Sequence, residues 1–230
     1  MSKYRFLLIN AFSLAPGSEF AMRSYTGPKE TQLYNYEDLK PFLADIDWDL
    51  NPGARATHGN FPVTTSAHAQ MHIAGLLGNK FSIVDISESH NMQMYHLVVQ
   101  YRMTERCASI RNVNFPLPTP NHPNDRPIHV ERDRALQSGT SDMLEAAVKE
   151  SIAAIEEDGA DTIMLGCSAA FWLQPLLQKR LLEIGWDVPV LEGARAAIQV
   201  AKMLVDLGVD ASSLAFPGER PAKWRRRKIF

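Results

Sequence analysis

The sequence predicts an α/β protein whose strands run parallel and are joined by crossover helices. Three observations carry that reading. Short apolar runs alternate with longer segments of helical period, the order that builds a parallel sheet with helices on its faces. The apolar runs are too short and too uniform for half-exposed strands and fit buried ones. The 230 residues are 45% hydrophobic and 22% charged with a net charge of −2, which excludes disorder, a collagen repeat and a disulfide scaffold.

The elements follow in order. Residues 6–10 end at Asn10, as a buried parallel strand would. Residues 11–27 are rich in turn formers and have no helical period. A short helix fits 38–46, with Leu39, Phe42 and Leu43 on one face and Pro41 in its first turn. Residues 48–50 fit a strand closed by the turn Asn51-Pro52-Gly53. A strand over 62–65 leads into a helix over 67–77, which Gly78-Asn79 ends. Next come a strand over 81–84, a helix over 91–101 with Met92, Tyr95, His96 and Val99 on one side, and a strand over 108–113. The prolines of 116–127 make a loop.

Helix 141–158 has the clearest stripe, made of Leu144, Ala147, Val148, Ile152 and Ile155, with Gly159 at its C-terminal end. A strand over 162–165 exits through Gly166-Cys167-Ser168 into a helix over 169–184. A strand over 188–191 and a helix over 194–207 complete the pattern. The second half is regular. The first half has only about a dozen residues between strands 48–50 and 62–65, the bare minimum for a parallel crossover. It reads as lacking one helix–strand unit or more between Ala11 and Ala67. Strand–helix order also echoes between Pro62–Ala67 and Pro189–Ala194.

Several function classes are excluded or disfavoured. The near-zero charge creates no whole-molecule field for nucleic acid or an anionic membrane, and the basic run 225–228 reads as a solvated tail. No segment has the roughly 18 apolar residues of a membrane helix. The N-terminus lacks the features of a signal peptide, so the expected location is cytoplasmic. With no GxGxxG and no P-loop, no nucleotide cofactor is expected. Two cysteines fit a reducing compartment, where a lone thiol can be catalytic.

Cys167 is the strongest candidate for chemistry. It stands where a strand ends and a helix is expected to begin, the edge at which open α/β sheets bind ligands. A helix N-terminus there would lower the thiol pKa and offer N–H donors to an anion. The alternative is a buried cysteine used as a small apolar residue. Asn10 and Ser13 flank the first strand's exit and could donate hydrogen bonds to a carboxylate or ring carbonyl, or serve only local turns. Thr64, Thr65 and Ser66 carry the same two readings. Glu192 ends the last strand, as a substrate ligand or as part of a helix cap.

His68 and His72 share a helix face at metal-ligand spacing. They lack the glutamate of HExxH and a third ligand fixed by spacing, so no metal is expected. His68 is placed instead as a pocket donor or acid/base. His122 and His129, in and just after the proline-rich loop, read as surface, and Cys107, which precedes a strand, as structural.

The run Gly159-Ala160-Asp161-Thr162-Ile163-Met164-Leu165-Gly166-Cys167-Ser168, followed by a helix and by Val188-Pro189-Val190-Leu191-Glu192-Gly193, resembles the Asp/Glu/hydantoin racemase superfamily. The hydantoin and allantoin racemase branch is the most similar. Leu8-Ile9-Asn10 and the stretch from Pro62 to Val84 extend the likeness. The resemblance implies two pseudo-symmetric, Rossmann-like (flavodoxin-like) lobes with parallel four-stranded sheets. Residues 1–79 with 192–230 would form the first, incomplete lobe, and 80–191 the second.

It also implies racemisation without cofactor or metal, by thiols on opposite faces of a hydantoin-like or amino-acid-like substrate, in a homo-oligomer. Cys167 matches the second-lobe cysteine as acid/base. Asn10, Ser13, Thr65, Ser66, His68, Ser168 and Glu192 are the candidates for substrate binding. The first-lobe cysteine position falls near Asp47-Trp48-Asp49, which has no thiol. That departure leaves open a one-cysteine decarboxylase or lyase, a covalent-thiol hydrolase, or a non-catalytic ligand-binding member.

Overall fold

A computed structural model describes residues 64–117, 127–209 and 212. The expected strands 6–10 and 48–50, the helix 38–46 and most of the proline-rich loop lie outside the described residues. So do Asn10 and Ser13.

One parallel sheet of four strands organises the described residues, in the order β2-β1-β3-β4. The strands are β1 (Phe81–Asp85), β2 (Cys107–Asn112), β3 (Thr162–Leu165) and β4 (Val190–Leu191). In register, Phe81 faces Thr162 and Val84 faces Leu165 on one side of β1, while Ser82 faces Ser109 and Asp85 faces Asn112 on the other. The chain moves outward from β1 to β2, then returns past β1 to β3 and on to β4. The direction of winding therefore reverses between β1 and β3, which leaves a crevice at their carboxyl ends.

Every residue of β1 is buried, because helices cover both faces. On one face, Met71 and Ala74 of α1 (Ser66–Leu77) and Met94 and Val98 of α2 (Asn91–Gln100) pack on Phe81, Ile83 and Met164. On the other, α4 (Asp142–Glu156) and α5 (Leu173–Glu183) place Leu144, Ala147, Leu173 and Leu177 against Val84, Ile163, Leu165 and Val190. Alternate residues of one strand thus feed opposite cores, as period-two geometry requires. Truncating a fully buried leucine such as Leu177 to alanine would cost ~2–5 kcal/mol.

Helix α3 (Ile128–Ser138) is absent from the sequence reading. Its buried positions are Ile128, Glu131 and Ala135, so a charged residue stands in the middle of the inward stripe and hides the period. Glu131 is buried because its Oε2 accepts the Met143 backbone N–H (2.9 Å), a donor left over in the first turn of α4. Ser141 accepts the Leu144 N–H as the N-cap of the same helix. The stripe of α2 also differs from expectation. Met94 and Val98 face the core, and Met92, Tyr95 and Val99 face outward.

Helix α6 (Gly193–Asp206) packs on α1, and Thr64 Oγ1 donates to the Ala197 carbonyl (2.8 Å). Gly78 ends α1 in extended geometry (φ −154°). A Cβ there would stand 2.1 Å from Asp161 Oδ1, the carboxylate that accepts the N–H groups of Asn79 and Lys80. Among the described residues no helix is long and apolar enough to cross a membrane.

Candidate active site

The crevice between β1 and β3 is built from the two strand exits. At the end of β3, Gly166 passes against Asp85 at the end of β1. A Cβ on Gly166 would lie 2.7 Å from Asp85 Cγ and Oδ2, so only glycine leaves room for the carboxylate. Cys167 comes next. It has extended geometry (φ −111°, ψ 135°) and caps a single 3-10 turn, Ser168–Ala170.

The helix expected directly after Cys167 begins only at Leu173, so the thiol does not sit on an α-helix N-terminus. Its pKa moves up, to about 11, not down. Burial is the main cause, and the charge of Asp85 adds to it. The Ala169 N–H opposes both without overcoming them. Cys167 therefore rests protonated at neutral pH.

Asp85 is the organising residue of the crevice. Its side chain is 0% exposed. Oδ1 accepts the Ile86 backbone N–H (2.6 Å) and lies 3.2 Å from His90 Nδ1. Oδ2 is buried without a hydrogen-bond partner. His90 closes the 3-10 turn Glu88–His90, in which Ser87 accepts the Ser89 N–H. The hydrogen bond to Asp85 raises the His90 pKa above its ordinary value, against the opposing effect of burial. One ligand atom each from Asp85, His90 and Cys167 lies within 4.8 Å of the others.

Asp85 and His90 were missed by the sequence reading. The available signal was a carboxylate ending the strand Phe81-Ser82-Ile83-Val84, the same position that singles out Asn10. His90 lies five residues further on, in a serine-rich turn without period, and had no signal of its own.

The predicted site residues are distributed unevenly around this crevice. Ser168 is exposed beside Cys167. Thr65 is the N-cap of α1 but makes no side-chain cap bond, and it too is exposed. Ser66 begins α1 and faces Gly193, where an added Cβ would come 2.5 Å from its own. One turn on, Gln70 is buried and donates to the Leu165 carbonyl at the end of β3 (3.3 Å), with its Oε1 unpartnered.

His68 does not join the cluster. Its ring lies tilted against Tyr101 (centroids 4.5 Å) and edge-on to His72 (4.3 Å), and His72 Nδ1 approaches the His68 carbonyl (2.9 Å). Glu192 uses both carboxylate oxygens to cap α6, each 2.7 Å from the backbone nitrogen of Ala194 or Arg195. Cys107 opens β2, and the strands are parallel, so it lies at the opposite end of the sheet from Cys167. Its thiol donates to the Ser109 carbonyl, and burial pushes it up to about 11.

The family model described as Asp/Glu/Hydantoin racemase matches residues 54–201. A hydantoin racemase of Paenarthrobacter aurescens is 32% identical over 151 residues, covering 66% of this chain and 55% of that protein. One from Pseudomonas sp. (strain NS671) is 29% identical over 153 residues, covering 66% and 53%. Among solved structures, an allantoin racemase from Klebsiella pneumoniae superposes with a TM-score of 0.56 at 28% identity, over 77% of this chain and 63% of that one. The allantoin racemase of Pseudomonas fluorescens gives 0.58 at 25% identity, over 76% and 65%. The chain spans about half the length of the curated relatives it matches.

Proposed function

The chain belongs to the Asp/Glu/hydantoin racemase family, and from that premise we propose that it is a cofactor-independent isomerase. It acts by proton transfer at a carbon acid of a hydantoin-like or amino-acid-like small molecule, with Cys167 as the acid/base. The observation that carries this reading is the placement of a partly exposed thiol at the carboxyl end of β3, at the winding reversal of the sheet. A carbon acid is weak, so the base that deprotonates it must be strong. A thiolate whose thiol has a pKa of about 11 is a stronger base than an ordinary one. Exposed Ser168 and the N-terminal residues Thr65 and Ser66 of α1 are the described groups that could hold the substrate's oxygens, with Asn10 and Ser13 as further candidates.

A second reading is a one-cysteine lyase, in which Cys167 protonates one face of an enediolate after CO2 leaves. It is favoured by the resting protonation of Cys167 and by the position of the other cysteine, Cys107, at the far end of the sheet. The test is NMR of α-proton exchange in D2O with 5-substituted hydantoins and allantoin, for the wild type and Cys167→Ala. Racemisation predicts exchange and loss of optical rotation that vanish in the variant. The lyase predicts CO2 release from a 2-substituted malonate with an enantiopure product. Undiminished exchange in Cys167→Ala would sink both.

A further inference from the structure

We infer that Asp85, His90 and Cys167 form a binding site for a borderline-soft divalent cation of the Zn²⁺ class. The inference does not rest on the isomerase reading. The three residues offer one carboxylate oxygen, one imidazole nitrogen and one sulfur, a donor set suited to zinc and unsuited to Mg²⁺ or Ca²⁺, which take oxygen. Their ligand atoms already lie within 4.8 Å of one another. Around a tetrahedral Zn²⁺, with bonds of roughly 2.0–2.3 Å, such atoms stand about 3.3–3.6 Å apart. Shifts of about 1 Å, shared among three side chains, close the site.

A second observation points the same way. Asp85 Oδ2 is sealed from solvent and has no hydrogen-bond partner, although its side chain is fully buried. A buried carboxylate oxygen left unpaired is costly. Gly166, the residue before Cys167, leaves open the space beside Oδ2, where a Cβ would stand 2.7 Å from it, and an ion that takes Oδ2 as its ligand gives this oxygen the partner it lacks. The Ile86 N–H on Oδ1 fixes the carboxylate's orientation, the kind of support that metal-bound carboxylates receive.

His90 is 24% exposed in its side chain and Cys167 is partly exposed, so the site opens on that side for the ion and for a water ligand. Three protein donors with an open fourth position is the pattern of accessible zinc sites. The pair that sequence spacing offers for a metal, His68 and His72, packs ring against ring, with His68 also against Tyr101, and supplies none of the ligand atoms of this cluster. A bound ion holds the thiolate that proton transfer needs free, so ion and carbon-acid substrate exclude each other.

The test is a Co²⁺ titration of the full chain, read by its thiolate-to-cobalt charge-transfer band, followed by displacement with Zn²⁺. The expected result is a band that saturates at one equivalent and is lost on adding Zn²⁺. It disappears in Cys167→Ser and persists in Cys107→Ser and His72→Gln. In His90→Gln the affinity falls about tenfold or more. Replacing Asp85 also removes the hydrogen bond from the Ile86 N–H, so the partly exposed His90 carries the ligand test, with circular dichroism as the folding control. The inference is overturned if no thiolate band forms, if the band survives Cys167→Ser, or if His90→Gln binds as tightly as the wild type. Absence of racemase activity in the same preparations bears only on the isomerase reading.

Discussion

Replacing Gly166 with alanine tests the construction of the crevice directly. The glycines with positive φ among the described residues are Gly139, Gly159, Gly185 and Gly208, so Gly166 is required for space and not for backbone conformation. The added Cβ would stand 2.7 Å from Asp85 Cγ and Oδ2 and 3.0 Å from its Cβ, so the carboxylate must move. Moving it breaks or stretches the bonds to the Ile86 N–H (2.6 Å) and to His90 (3.2 Å).

A hydrogen bond to a charged group contributes ~1.5–3 kcal/mol, so partial loss of two such bonds costs ~2–4 kcal/mol. At ~2–4 °C per kcal/mol for a chain of this size, Tm falls by ~4–16 °C. The assay is urea denaturation in a double-mutant cycle with Asp85→Ala. In that background only the contact with the residue-85 Cβ remains, and Gly166→Ala should cost less than ~1 kcal/mol. A Gly166→Ala variant within ~0.5 kcal/mol of the wild type, or an equal cost in both backgrounds, would refute the reasoning.

In a Cys107→Ser background, Cys167 should alkylate slowly with iodoacetamide at neutral pH. The rate should rise about tenfold per pH unit toward a pKa of about 11, because burial and the Asp85 charge both disfavour the thiolate. Asp85→Asn should shift the curve down, and a plateau by pH 8 in the wild type would contradict the assignment. Arg111 binds Asp158 (2.6 Å) and Glu157 (2.7 Å), tying β2 to the end of α4, and Arg111→Ala should cost ~1–3 kcal/mol. Arg111 holds the Asp158 carboxyl below its ordinary pKa. The Asp158 share of that difference should be full above about pH 4 and shrink as pH falls through the depressed value, which denaturation at several pH values would show. Glu192→Ala removes both capping bonds of α6 and should cost ~1–2 kcal/mol in denaturation, whereas Glu192→Asp should recover part of it.

The elements that the sequence made legible are those with one clean signal. The β3 run Thr162–Leu165 is short, buried throughout and ends at a small-residue turn. The stripe of α4 has a single small polar residue, Ser151, on its inward face, and the apolar side chains it brings inward include Leu144, Ala147 and Val148. Where a helix buries a charged residue the signal fails. Glu131 puts a carboxylate on the inward face of α3, and its reason lies in another helix, the N–H of Met143. The start of α5 was misread because Ala169-Ala170-Phe171-Trp172 continues the apolar pattern, while the backbone spends those residues on a 3-10 turn and its exit.

By itself the sequence determined the parallel α/β plan, the strand that carries Cys167, and the likeness to a racemase family. All of these are written in short-range pattern and local composition. Only the tertiary structure decided what surrounds the thiol. Asp85 and Cys167 are separated by two crossovers and meet because β1 and β3 are neighbours at the winding reversal. Local sequence offered a helix N-terminus that would lower the thiol pKa. Burial and a carboxylate from another strand raise it, and both are properties of packing that no residue carries alone.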